Sequence, residues 1–269
     1  MAMNVWEGIL EPPAGARSGK PRSQGWTMVM DKGLTLPETA GWLELVAPYI
    51  DLVKLTFGTS ALYPADYLVQ KVQLIRRCGV SVCPGGTLLE IAVYQGKIRQ
   101  FLARAGEIGF DFIEISDGTL PMSPSTRHRV LDLCKEKEFR VISEVGKKDP
   151  LTPEKDPLEE IRADLEHGAE KVIIEARESG KGVGIYDEQG KIRTQRLDRI
   201  SEAAPIAKIL WEAPIKSQQA ELINRFGPDV NLGNIAPQEI ISLEALRLGL
   251  RADTLKNSLN PARRATVTI

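Results

Sequence analysis

Four glutamates and a lysine stand in this chain where charge is costly. In Phe112-Ile113-Glu114-Ile115-Ser116 a glutamate alternates with isoleucines. Successive strand side chains point to opposite faces. In a barrel strand the apolar face meets the helices, and the other face looks inward. Glu114 is therefore expected inside. The same alternation places Glu144 with Arg140 and Ile142, Glu175 with Lys171 and Ile173, and Glu212 with Lys208 and Leu210. Lys54 lies opposite Val53 and Leu55, which turns it inward as well. A ring of buried carboxylates repels itself and calls for cations. Oxygen donors of this type suit Mg²⁺, which takes few protein ligands and keeps water. All four glutamates are candidate ligands. The competing reading is an ion-pair network with Lys54, Arg140, Lys171 and Lys208.

Basic residues gather at expected strand exits: Lys32 after the first strand, Lys147 and Lys148 after the fifth, and Arg177 after the sixth. Lys20 and Arg22 precede the first strand and are expected to fold over the mouth. Together these cations suit a substrate with several negative charges. The stretch Asn231-Leu232-Gly233-Asn234-Ile235-Ala236-Pro237 reads as a glycine turn into a helix, where barrels hold phosphate on backbone N–H groups. Gly233 and Asn234 are thus expected to touch substrate. Pro84-Gly85-Gly86-Thr87 offers a second such loop.

Short β-branched runs supply the strands that position these residues. They cover 26–30, 52–56, 80–83, 112–116, 140–144, 171–176, 207–211 and 230–232. Helical patterns lie between them. Ser123-Pro124 and Asp156-Pro157 read as helix starts, as do Pro37, Pro64 and Pro237; Gly79, Gly109, Gly168, Gly227 and Gly249 read as stops. Eight strand–helix units of roughly 30 residues fit a (β/α)8 TIM barrel. A doubly wound sheet would carry a Gly-rich fingerprint after its first strand, whereas this chain has Asp31-Lys32-Gly33. The expected organisation is an irregular arm over 1–25 and one barrel over 26–269. The long connection after Ala176 contains a hairpin pattern around Glu188 to Gly190, read as a lid or as a surface or oligomer contact.

The 269 residues carry 35 basic and 36 acidic side chains, a balance that argues against nucleic-acid binding. No apolar run is long enough to span a membrane, and no signal-peptide pattern opens the chain. A cytoplasmic location is expected. The three cysteines, Cys78, Cys83 and Cys134, have no metal-ligand spacing and read as buried, reduced thiols. The two histidines give no His-based site.

The motifs, taken together, resemble the phosphosulfolactate synthase family, which opens one coenzyme M biosynthetic route. The resemblance rests on Lys20-Pro21-Arg22, Asp31-Lys32-Gly33, Lys54, Gly85-Gly86-Thr87-Leu88 with Glu90, and Ile113 through Gly118. It continues with Ser143 through Lys148, Ile174 through Gly180, Trp211 through Pro214 and Asn231 through Ile235. It implies a (β/α)8 barrel, Mg²⁺ dependence, a homo-oligomer such as a trimer, and addition of sulfite to phosphoenolpyruvate. Sulfite would attack C3, charge would build on the substrate carboxylate, and a lysine would protonate C2. The resemblance places Lys147 in that role, with Lys148 second, Arg22, Lys32, Lys54 and Arg177 on the anions, and Glu114, Glu144 and Glu175 on the metal, with Glu212 positioning a cation. The family extends to plant heat-stress-associated relatives, so a diverged or non-catalytic barrel is a second reading. A Schiff-base aldolase using Lys54 or Lys208 is a third.

Overall fold

A computed structural model describes residues 5–146 and 157–259. Eight parallel strands alternate with helices: β1 (Thr27–Asp31), β2 (Leu52–Leu55), β3 (Ser81–Cys83), β4 (Phe112–Ile115), β5 (Arg140–Val145), β6 (Lys171–Ile174), β7 (Ile209–Glu212) and β8 (Asn231–Ile235). Their order, β3-β2-β1-β8-β7-β6-β5-β4, wraps into a nearly closed (β/α)8 barrel. No strand ladder joins β3 to β4. That seam is bridged instead by the Val82 N–H, which donates to Asp111 Oδ1 at 2.8 Å, while Arg76 pairs with the same carboxylate.

The helices are α1 (Leu36–Val46), α2 (Ala65–Arg77), α3 (Gly86–Tyr94), α4 (Ile98–Ile108), α5 (Pro124–Glu136), α6 (Pro157–Glu166), α7 (Thr194–Ser201), α8 (Lys216–Phe226), α9 (Ile240–Arg247) and α10 (Ala252–Ser258). The expected punctuation holds locally. Ser123 accepts from the Thr126 N–H ahead of Pro124, and Gly109 closes α4 in the left-handed region. Thr35 and Glu38 form a capping box on α1. None of these helices is long and apolar enough to cross a membrane.

Alternation along the strands divides the core in two. Val53, Leu55, Ile113, Ile115, Val172, Ile174, Trp211 and Leu232 face the helices. Trp26, Met28, Leu52, Cys83, Phe112, Ile142, Ile173 and Leu210 plug the barrel interior. This plug is the floor on which the charged layer sits. The next inward positions towards the strand ends are Met30, Lys54, Glu114, Glu144, Glu175 and Glu212. Gly233 belongs to this packing: a Cβ there would stand 2.4 Å from Leu210 Cδ2 and 2.8 Å from Met28 Cε.

Several strand boundaries differ from the sequence reading. The seventh strand begins at Ile209, because Ile206–Lys208 forms a 3-10 turn. The eighth runs on to Ile235, through the residues read as a turn. Cys83 and Cys134 are buried thiols, but Cys78 is exposed.

Candidate active site

The C-terminal ends of the strands surround a cavity of about 300 Å³, lined by residues of β1, β2, β4, β5, β7 and β8 and by the segments that follow β2, β3 and β6. Lys54 of β2 stands in its floor. Its Nζ lies 2.8 Å from Glu114 Oε2, 3.3 Å from Glu144 Oε2 and 3.6 Å from Glu212 Oε1. Burial alone would lower the pKa of this lysine. The three carboxylates outweigh that and hold it well above the usual lysine range. Lys54 is therefore a fixed ammonium.

Backbone N–H groups aim three of the four carboxylates, and the Ser116 side chain meets the fourth, Glu144. Glu114 Oε1 accepts from the Gly86 N–H at 2.8 Å, at the start of α3. That approach requires glycine, since a Cβ at residue 86 would meet Ser116 Cβ at 2.6 Å. Glu212 Oε2 accepts from the Ala176 N–H at 2.9 Å, and Glu175 Oε1 accepts from the Arg177 N–H. Arg127 of α5, buried against Asp164 and Asp117, donates to the Glu144 carbonyl at 3.0 Å and so fixes the end of β5. Ser116 Oγ lies 2.9 Å from Glu144 Oε1 and 2.7 Å from Glu90 Oε1. Its single proton serves one of them at a time.

Among the described residues, oxygens of Glu144, Glu175 and Glu212 come within 4.8 Å of one another, close enough to share one metal ion. Of the expected trio, Glu114, Glu144 and Glu175, the structure brings Glu144 and Glu175 together. Glu114 turns to Lys54 and Gly86, and Glu212 takes its place. Glu212 carries the marks of a ligand. It is 1% exposed, and its Oε1 accepts no hydrogen bond among the described residues. Burial pushes its pKa up to about 7; Lys54 opposes this, and Glu144 adds to it. Glu114, Glu144, Glu175 and Glu212 are each 2% exposed or less. Hard oxygen donors in that state fit Mg²⁺.

At the rim, Lys32 pairs with Glu178 across the mouth and lies 5.9 Å from the Phe57 ring centroid. Arg177, with φ +57°, lines the cavity beside Glu178. Gly233 is a strand residue in the barrel interior rather than a phosphate-binding turn, and its carbonyl accepts from the Ala213 N–H at 3.0 Å. Asn234 does reach the cavity. An extra residue on β8, between the pairs Thr27–Leu232 and Val29–Ile235, puts Asn234 in the left-handed region at φ +54°. Such bulges re-aim side chains, and Asn234 Oδ1 takes no hydrogen bond among the described residues. Lys147 and Lys148 lie outside the described residues.

Three expectations about cations are corrected. Lys20 and Arg22 do not fold over the mouth. They sit at the opposite pole, where Arg22 pairs with Asp51 at 3.1 Å and Lys20 donates to the Ala47 carbonyl at 3.0 Å. Arg22 therefore does not reach the cavity. Arg140, Lys171 and Lys208 share inward parity with the glutamates but open their strands or precede them. Arg140 pairs with Glu170, Lys171 donates to the Ser23 and Ala207 carbonyls, and Lys208 is exposed near the Glu170 carbonyl. Lys54 alone of that expected network reaches the carboxylates. Lys208 therefore cannot serve as an interior amine.

The connection after β6 is held down. Its hairpin pairs Tyr186 with Ile192. The buried Tyr186 hydroxyl donates to the Glu212 carbonyl at 2.8 Å, and Gln218 Nε2 donates to the Gly180 and Gly190 carbonyls. Gly184, at φ +59°, lets the loop touch β6: a Cβ there would stand 1.9 Å from the Glu175 carbonyl oxygen. Gly184→Ala is expected to lower stability by about 1–3 kcal/mol and to open the loop to trypsin at Lys181 and Lys191. Thermal melting and limited proteolysis check this.

The family model of (2R)-phospho-3-sulfolactate synthase (ComA) matches residues 15–253. Phosphosulfolactate synthase of Methanothermobacter thermautotrophicus is 44% identical over 258 residues, covering 94% of this chain and 98% of its own. That of Bacillus subtilis is 40% identical, covering 88% and 95%. A heat-stress-associated protein of Arabidopsis thaliana is 24% identical, covering 76% and 78%. Among solved structures, 3-hexulose-6-phosphate synthase from Salmonella typhimurium superposes with a TM-score of 0.53 at 15% identity, covering 87% of this chain and 94% of its own. Likeness at that identity speaks for the barrel alone. The family model and the curated relatives carry more: this chain belongs to the (2R)-phospho-3-sulfolactate synthase family.

Proposed function

We propose that this protein adds sulfite to phosphoenolpyruvate, with Mg²⁺, to give (2R)-2-O-phospho-3-sulfolactate. The observation that carries the reading is the buried layer of four glutamates, three of them paired with one fixed lysine, at the strand ends of a chain in this family. The sulfite sulfur bonds to C3, the C2–C3 π pair moves towards C2 and the carboxylate, and a proton is delivered to C2. Glu144, Glu175 and Glu212 would hold the cation, which supplies positive charge where the substrate carboxylate gains negative charge.

The side chains of the protein do the rest. Lys54 adds a second positive charge in the floor, immobilised by its carboxylates and so already oriented before substrate enters. That same locked ammonium argues against a Schiff-base route, which needs a neutral amine. Lys32 and Arg177 at the rim meet the phosphate and sulfite charges, and Asn234 offers its amide to an anion oxygen. Lys147 follows Gly146 directly after β5 and serves as the acid for C2 in this reading.

Lys32 is exposed, so Lys32→Ala is expected to change stability by less than about 1 kcal/mol. It should raise KM for phosphoenolpyruvate about tenfold through loss of a charge-assisted contact. Initial rates and a melting curve check both halves. The overall reading is tested by the sulfite-dependent loss of phosphoenolpyruvate ultraviolet absorbance, which EDTA should abolish. Loss that continues unchanged in EDTA would remove the metal from the account.

A further inference from the structure

The Lys20-Pro21-Arg22 motif has no part in the site at the mouth. It lines a separate cavity of about 340 Å³ at the N-terminal pole, together with Trp26, Asp51, Ser81 and Arg140. We infer that this cavity is a second anion site, built for a small phosphate- or sulfate-type dianion.

Three of the lining side chains are cationic, and Asp51 is the only carboxylate among the described lining residues. Asp51 is already engaged: it pairs with Arg22 at 3.1 Å and accepts from the Thr27 N–H at 2.9 Å. Arg22 is engaged too, donating also to the Ser18 and Pro48 carbonyls. Lys20 and Arg140 have donors to spare. Lys20 Nζ donates to a single carbonyl, that of Ala47, and an ammonium carries three N–H groups. Arg140 spends Nε and Nη2 on Glu170, and its Nη1 makes no further hydrogen bond among the described residues. Its guanidinium is stacked 4.3 Å from the Phe112 ring centroid, which fixes its plane.

The surroundings deepen the positive field. Lys171 is buried with its Nζ 4.5 Å from the Trp26 ring centroid. Burial, opposed by Glu170 and Asp51 and aided by Lys208 and Arg140, lowers its pKa to about 8. Lys20 is lowered by burial and by Arg22, against Asp51. Partly buried cations set close together are the setting in which a dianion gains most. The cavity lies at the lower end of the size range of small-molecule sites.

Inorganic phosphate is the probe, titrated into the wild-type protein, Lys20→Met and Arg177→Met, with binding followed through backbone amide shifts. Amides of Gly79 and Ser81 report the pole, and those of Gly85 and Gly86 report the mouth. The expected result is saturable movement of Gly79 and Ser81 in the wild type, unchanged in Arg177→Met. In Lys20→Met, phosphate should bind the pole about tenfold more weakly. Wild-type spectra in which only the mouth amides move would overturn the inference without reference to any variant. So would pole shifts that Lys20→Met leaves at wild-type affinity. Because the readout is binding at the pole, the result is independent of whether the mouth catalyses sulfite addition.

Discussion

Lys54→Met is expected to cost about 3–5 kcal/mol of stability, the range for breaking a buried ion pair from one side. The reason is local. Removing the ammonium leaves Glu114, Glu144 and Glu212 facing one another at 1% exposure or less, with no cation against them from β2. Turnover should fall about 100- to 1000-fold, the usual consequence of deleting a preorganised charge. The variant should also respond more strongly to Mg²⁺ than the wild type in a melting experiment. A cation that binds only the folded state stabilises it by mass action, and the variant has more uncompensated charge to gain from it. A variant that melts with the wild type would show that the ammonium does not hold the layer together.

Glu212→Gln should act with the opposite sign on stability. It removes one buried like charge while keeping the shape, and a side-chain oxygen can still accept from the Ala176 N–H. The metal-free variant is therefore expected to be at least as stable as the wild type, while turnover drops about 100- to 1000-fold. The pH dependence supplies a second signature. The folded-state pKa of Glu212 is raised from 4.5 to about 7, with burial as the main cause. The folded protein then binds more protons than the unfolded chain between those values, so stability falls as pH rises through that window. Denaturant titrations in EDTA across pH 4.5 to about 7 should show that decline in the wild type and a shallower one in Glu212→Gln. Equal slopes would mean that Glu212 is not the titrating group.

The contrast between these two variants reflects what the sequence could and could not convey. Face was legible. Ile113 and Ile115 leave Glu114 no choice but the interior, and the same holds for Lys54 between Val53 and Leu55. All five charged residues are inside. Height was not taken from parity alone. Arg140 shares a face with Glu144 but stands four residues below it, about 13 Å along the strand. Arg140, Lys171 and Lys208 therefore belong to the other pole and cannot neutralise the ring. The position of Lys20 and Arg22 follows from the same rule. A chain entering the first strand of a parallel barrel enters at the pole opposite the site, and that signal was present in the order of the motifs.

Which three carboxylates converge was not legible, because it depends on how far Lys54 reaches across the barrel and on the stagger of β4 to β7. Lys54 draws Glu114 aside, and Glu212 swings to Glu144 and Glu175. Asn234 was named for the wrong reason. The expected glycine turn is strand, and the residue reaches the cavity through a bulge in which asparagine tolerates left-handed backbone. Glu90 carried a usable signal, since a lone carboxylate in the apolar helix Gly86–Tyr94 had to find a partner, and it found Ser116 and two backbone N–H groups.

The central claim is that the glutamate layer and Lys54 serve metal-dependent addition of sulfite to phosphoenolpyruvate. The most direct test is ³¹P NMR of phosphoenolpyruvate, sulfite and Mg²⁺ incubated with the folded protein, with and without EDTA, and with Glu212→Gln in parallel. The account predicts a new phosphorylated sulfonate resonance with the wild type, lost in EDTA and nearly lost in the variant. Phosphoenolpyruvate left unchanged by wild-type protein with Mg²⁺ present would contradict it.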